Sequence, residues 1–90
     1  DGVVHTATVA GSLLALDPQA AAVSNDVMID NPGPYDIRVR AGSAATVASA
    51  TSMRVPAGTM QPFYKGGATH LAFKSTTGNQ DVVVTVGDGQ

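Results

Sequence analysis

Short runs of β-forming residues, each closed by a turn signal, determine what this chain can fold into. Eight alternating or β-branched runs are separated by glycine, proline, asparagine and aspartate, and no stretch has the pattern of a long helix. Several short strands with a turn about every 8–12 residues are typical of an antiparallel sandwich or small barrel. We therefore predict an all-β fold, a compact antiparallel β-sandwich or jelly-roll-like barrel of about seven or eight short strands. The runs cover residues 3–9, 13–16, 26–30, 35–41, 53–55, 59–64, 69–74 and 81–86.

The run at 35–41 has the clearest alternation. Ile37 and Val39 alternate with aspartate and arginine, which is the period-two pattern of a half-buried strand. Before it, Asn-Pro-Gly-Pro at 31–34 is the strongest turn signal of the chain. Because this link is only about four residues long, we expect 26–30 and 35–41 to pair as an antiparallel hairpin.

Length and composition predict one small domain with a thin core. Ninety residues form a single domain, 1–90, which buries only about 60–65% of the surface of its unfolded chain. The chain has no cysteine, which excludes disulfides, and only two Phe and two Tyr, so its core must consist of small aliphatic groups. Residues 19–23 contain good helix formers, but the stretch is too short for an isolated helix and is predicted to be a loop or turn. Oligomerisation is the most economical further source of stability, and we expect a homo-oligomer.

The low charge content argues against a protein that binds nucleic acid. Charged residues are 13% of the chain, against about 25% in typical soluble domains, and the net charge is −2. The five cations are scattered along the sequence and form no basic block, so we predict no nucleic-acid partner. No run of about 18 apolar residues occurs, and we expect neither a transmembrane helix nor a membrane partner. The cations are Arg38, Arg40, Arg54, Lys65 and Lys74.

Residues able to carry catalysis or hold a metal are few and show no functional spacing. His5 and His70 lie far apart, with no His-x-His or helix-spaced ligand pair, so we predict ordinary strand residues and no metal. The serines lack a G-x-S-x-G nucleophile motif, and the aspartates lie mostly beside turns. A small hydrolase using either histidine as its base is the weakest function considered. We therefore predict no catalytic residue, no cofactor and no enzymatic activity.

Three features concern the surface of the predicted sandwich. Pro62 should place the strand at 59–64 at a sheet edge or a bulge, because proline cannot donate to a ladder. The small-residue stretch 42–52 is either a surface loop or an extended segment pressed against a neighbouring subunit. Exposed Tyr35 and Tyr64 on one face would suit glycan binding, although we favour two core phenylalanines with the tyrosines packed at strand ends.

Residues 31–89, roughly two-thirds of the chain, resemble small virion proteins of tailed bacteriophages. Each matching piece is short, and the order of the pieces carries the resemblance. The N-terminal third does not carry the pattern clearly. The pieces are N-P-G-P at 31–34 leading into the strand at 35–40, S-M-R-V-P-A-G-T at 52–59, G-A-T-H-L-A at 67–72, the valine-rich strand at 82–86 and G-D-G at 87–89.

This resemblance implies a non-enzymatic structural protein that decorates or cements a bacteriophage capsid. The implied location is the capsid surface of the virion, and the implied partners are the major capsid protein and copies of the chain itself. A trimer at capsid symmetry positions would fit this role, and residues 1–24 are a candidate extended attachment segment within the single domain. Two alternatives stay open: a glycan- or receptor-binding β module on a tail or head fibre, and a component of the head–tail junction.

Overall fold

The computed structural model describes residues 2–16, 25–49 and 51–86, which form eight strands and no helix. The strands are β1 (Val3–Ala7), β2 (Ser12–Ala15), β3 (Asp26–Asn31), β4 (Ile37–Gly42), β5 (Met53–Val55), β6 (Thr59–Tyr64), β7 (His70–Ser75) and β8 (Gln80–Val86). Sheet A has the order β1-β8-β3-β6 and sheet B the order β2-β7-β4-β5, with antiparallel pairing throughout. The predicted antiparallel β-sandwich is confirmed.

The strand order is that of a jelly roll. Four of the pairs are β1–β8, β2–β7, β3–β6 and β4–β5, which is the pairing of one long antiparallel hairpin. The pairs β3–β8 and β4–β7 place the two halves of that hairpin side by side, so the ribbon is rolled into two stacked sheets. An eight-stranded double sheet of this kind, built from two Greek keys, is the jelly-roll architecture.

The core lies between the two sheets and is almost entirely aliphatic. Phe73, fully buried in β7, is the one aromatic ring among the buried core residues of the described chain. Its strand and three others place alternate residues inward, as the period-two pattern predicted for the runs at 26–30, 35–41, 69–74 and 81–86. The buried core consists of Ala7, Leu16, Val27, Ile29, Ile37, Val39, Val55, Leu71, Phe73, Val82 and Val84.

The predicted hairpin between 26–30 and 35–41 is wrong, because β3 lies in sheet A and β4 lies in sheet B. Pro32 and Pro34 have no N–H groups with which to continue a ladder. Residues 32–36 instead carry the chain across the roughly 10 Å that separates stacked sheets. The inward faces of β3 and β4 therefore meet across the core and do not lie side by side in one sheet.

Two buried side-chain amides hold this crossing in place. Asn31 is 0% exposed; its Nδ2 donates to the carbonyls of Tyr35 (2.9 Å) and Val55 (3.0 Å). Its Oδ1 accepts the N–H of Gly33 at 3.1 Å. Gln80 accepts the N–H of Tyr35 at 3.0 Å and donates to the Gly33 carbonyl at 2.9 Å. These bonds satisfy backbone groups that the crossing removes from any strand ladder.

The crossing from β5 to β6 lies at the same end of the sandwich and is tied to the first. The Asn31 carbonyl accepts the N–H of Gly58 at 2.7 Å, and the Asp36 carboxylate accepts the N–H of Ala57 at 2.8 Å. Arg54 donates to the Asp36 carboxylate from Nε at 2.9 Å and also from Nη2. The Ala57 N–H and then Arg54 lower the pKa of Asp36, because both stabilise its charged form.

The structure also places the strand that contains Pro62, the small-residue stretch and the N-terminal segment. β6 is an edge strand of sheet A, as Pro62 predicted. Of the stretch 42–52, Gly42 ends β4 and residues 43–49 form a loop without strand pairing, and contact of this segment with a neighbouring subunit stays a prediction. The described part of 1–24 contributes β1 and β2 to the sandwich, and an attachment role for it stays a prediction.

The loop or turn predicted at 19–23 lies outside the described residues. Within the described part of the chain, no helix is long and apolar enough to cross a membrane.

We expect Asn31→Ala to lower the free energy of unfolding by about 2–4 kcal/mol, because it leaves a buried carbonyl, a partly buried carbonyl and one N–H without their partners. Urea unfolding followed by circular dichroism measures this loss. Asn79→Ala is the matched control, since Asn79 is exposed and its removal should change stability by less than about 0.5 kcal/mol. Equal, small effects of the two substitutions would contradict the role assigned to Asn31.

Candidate interaction faces

The outer face of sheet A combines exposed apolar side chains with carboxylates. Residues directly opposite each other on neighbouring strands share a face, and these residues alternate with the inward core residues of the same strands. We call this set the acidic–apolar face; it holds three aspartates and no lysine or arginine. Its residues are Val4 and Thr6 of β1, Asp81, Val83 and Thr85 of β8, Asp26, Met28 and Asp30 of β3, and Met60, Pro62 and Tyr64 of β6.

The outer face of sheet B carries four of the five cations, and we call it the basic face. Although they are scattered in the sequence, the sheet register gathers these cations on one face. The alternation of charged with apolar residues at 35–41 already indicated that Arg38 and Arg40 face outward. The absence of a nucleic-acid partner stays a prediction, but the scattering of the cations along the sequence no longer supports it. The face comprises Leu13 and Ala15 of β2, His70, Ala72 and Lys74 of β7, Arg38, Arg40 and Gly42 of β4, and Arg54 of β5.

Three of these cations form a row across neighbouring strands. Lys74 lies opposite Arg38, and Arg38 lies opposite Arg54. Like charges placed directly opposite each other destabilise a sheet. Arg54 is neutralised by its ion pair with Asp36, whereas Arg38 and Lys74 make no ion pair with a described residue and each donate to a backbone carbonyl.

His5 and Ser12 are in contact, although the sequence gave no reason to connect them. Their Nε2 and Oγ atoms are 2.8 Å apart, and the imidazole lies 5.0 Å from the Phe73 ring, centroid to centroid. The contact bridges edge strands of the two sheets, β1 and β2. No described carboxylate bonds the second ring nitrogen of His5, so the described residues do not complete a Ser-His-Asp arrangement. Burial lowers the pKa of His5, because desolvation disfavours the imidazolium.

The second histidine is on a different surface. His70 belongs to the basic face, where its Nδ1 lies 2.8 Å from Thr69 Oγ1, while His5 faces the interior against Phe73. The described structure therefore does not bring the two imidazoles together. Among the described residues, no group of three or more histidines, aspartates or glutamates is close enough to hold a metal ion.

The two tyrosines lie at opposite ends of β3. Tyr64 faces Asp26 at the first residue of that strand, whereas Tyr35 lies in the crossing that follows its last residue, Asn31. A six-residue strand separates them by roughly 17–20 Å. They form no common platform, so the sequence argument for a glycan-binding module loses its geometric support.

No protein-family model, curated protein or solved structure matches this chain. The resemblance of residues 31–89 to phage virion proteins therefore rests on their ordered short motifs.

The lowered pKa of His5 predicts that acid destabilises the fold. Below a pH of about 6.5 the unfolded chain protonates His5 while the folded chain keeps it neutral, so the unfolded state binds more protons and stability falls until the folded-state pKa is passed. We expect the urea midpoint to fall between about pH 7.5 and about pH 5.5, and to fall less in His5→Gln. An equal fall in both proteins would show that His5 does not titrate in this way.

Proposed function

We propose that this protein is a non-enzymatic structural protein of a bacteriophage virion that decorates or cements the capsid surface through its interfaces. The ordered motifs in residues 31–89 support this, and so does the jelly roll, an architecture used by viral capsid and lectin domains. Because a fold by itself does not specify a function, the proposal depends on what the surface can bind.

The acidic–apolar face is the observation that carries the proposal. Val4, Met60 and Tyr64 are 65, 59 and 70% exposed on it, and methionine and tyrosine are among the residues enriched in protein interfaces. The molecule is a plate with extents of 34, 26 and 18 Å.

The charge on this face indicates the chemistry of its partner. A two-fold contact between copies through the same face would bring its aspartates against each other, which is unfavourable. The face instead fits an apolar surface that carries lysine or arginine, and in this proposal the major capsid protein provides it. The predicted contacts between copies of this chain would then use other surfaces.

A thin core suits a protein that functions on a larger assembly. The buried core of the described residues contains one phenylalanine and otherwise aliphatic side chains, so its apolar contribution to stability is modest. A partner that binds only the folded state adds stability by mass action. Docking on a capsid would thus stabilise both the bound protein and the lattice that it bridges.

Reconstitution tests the proposed function. Capsids prepared without this protein should melt at a lower temperature than complete capsids, and adding the purified protein should restore the higher melting temperature. Calorimetry of the two preparations measures the difference. Unchanged capsid melting on addition would contradict the proposal, and binding to isolated tails in preference to heads would favour the head–tail junction alternative.

Substitutions on the acidic–apolar face test where the capsid binds. We expect Met60→Ala and Tyr64→Ala each to weaken binding to capsids by about tenfold or more, because each removes an exposed anchor without touching the core. Val47→Ala is the matched control, since Val47 is 67% exposed but lies in the loop after β4, beside sheet B. If Val47→Ala weakens binding as much as the other two, this face is not the docking site.

A further inference from the structure

Two cations that have no acidic partner among the described residues lie side by side on the basic face. Lys74 and Arg38 are direct cross-strand partners, so their Cβ atoms are about 4.5–5.5 Å apart. Their charged ends turn apart: Lys74 Nζ donates to the Val9 carbonyl at 2.6 Å, and Arg38 Nη1 donates to the Ser52 carbonyl at 3.1 Å. Val9 lies on the β2 side of this pair and Ser52 on the β5 side. An anion placed between the two side chains would remove their repulsion.

A depression of about 220 Å³ lies beside these two side chains. Both cations line it, together with Val9, Ser75 and Thr76. Arg38 carries five N–H donors and Lys74 three, and each uses one in the bond to its carbonyl. The remaining donors of the two charged groups make no hydrogen bond with a described residue.

Neighbouring acids do not cancel this charge. The charge of Arg38 acts on the Asp36 carboxylate, which is already bound by Arg54 and by the Ala57 N–H. Lys74 makes no ion pair with a described residue. The depression therefore lies in a positive field, as an anion site requires.

We propose that Arg38 and Lys74 bind a phosphate group in this depression. On binding, the two charged ends would turn toward each other from these carbonyls. The planar guanidinium would then present paired N–H donors to two phosphate oxygens, and the ammonium group a compact charge to a third. The phosphate is either the free ion or a monoester carried by a small molecule, since both present the same oxygens. This site lies on the sheet opposite to the proposed capsid-docking face and does not depend on that function.

Thermal unfolding of the purified protein in the presence of inorganic phosphate tests the site. At constant ionic strength, replacing chloride with phosphate should raise Tm saturably, with a dissociation constant on the order of 1 mM. Arg38→Gln and Lys74→Gln should each weaken this binding by about tenfold or more. Glycerol phosphate in a parallel titration separates the two sources: a matching shift indicates a monoester site, and a shift with inorganic phosphate alone indicates a free-ion site.

Arg40→Gln is the matched control, because it removes the same charge from the same face but does not line the depression. It should keep the wild-type response to phosphate. An equal loss in all three variants would reduce the effect to general attraction by a basic face and overturn the proposal. The proposal would also be overturned if an oligonucleotide without terminal phosphates raised Tm and inorganic phosphate did not.

Nuclear magnetic resonance on the wild-type protein gives a readout that requires no variant to fold. Phosphate-induced changes in amide shifts should be largest at 9, 38 and 74–76, the residues that line the depression. Changes centred elsewhere, or no saturable changes, would contradict the assignment.

Discussion

The buried amide of Asn31 is the contact on which the arrangement of the two sheets depends. An aliphatic core is nondirectional, and it would accept several ways of stacking the same strands. A buried amide is different, because it is costly to bury unless its hydrogen bonds are made. Asn31 makes them to both crossings at once, since it bonds Tyr35 in the first crossing and Val55 at the start of the second. Every buried side-chain nitrogen and oxygen of the described residues has a partner.

Local pattern was enough to predict the strands and their inward residues, but not their partners. Ile37 and Val39 are buried because the alternation of a strand and the burial of apolar groups act within a few residues. Whether β3 pairs with β4 depends instead on β6 and β8, which lie far along the chain and take both sides of β3. A short turn-like link is compatible with either outcome. The two prolines of this link favour a crossing, because they cannot continue a ladder.

Which residues lie together on the two faces also depends on how the strands pair. Alternation alone places Arg38 and Arg40 on the outside of their strand, and it places Lys74 on the outside of another. That Lys74 and Arg54 then flank Arg38 follows from the register of three strands, which no local pattern specifies. His5 and Ser12 are only seven residues apart, but their contact joins edge strands of opposite sheets, which alternation within one strand does not specify. Residues that are scattered in the sequence therefore form a cluster because of the pairing of the strands.

The jelly roll turns a small number of charges into two surfaces of opposite sign. Charged residues are 13% of the chain, yet three aspartates lie on the outer face of sheet A and four cations on that of sheet B. Such a plate has a charge asymmetry between its two faces, and a basic partner would attract the acidic–apolar face. Docking in that orientation leaves the row of Lys74, Arg38 and Arg54 pointing away from the partner. Since the two faces are on opposite sheets, an anion on one and a protein on the other can be bound together without competing for the same side chains.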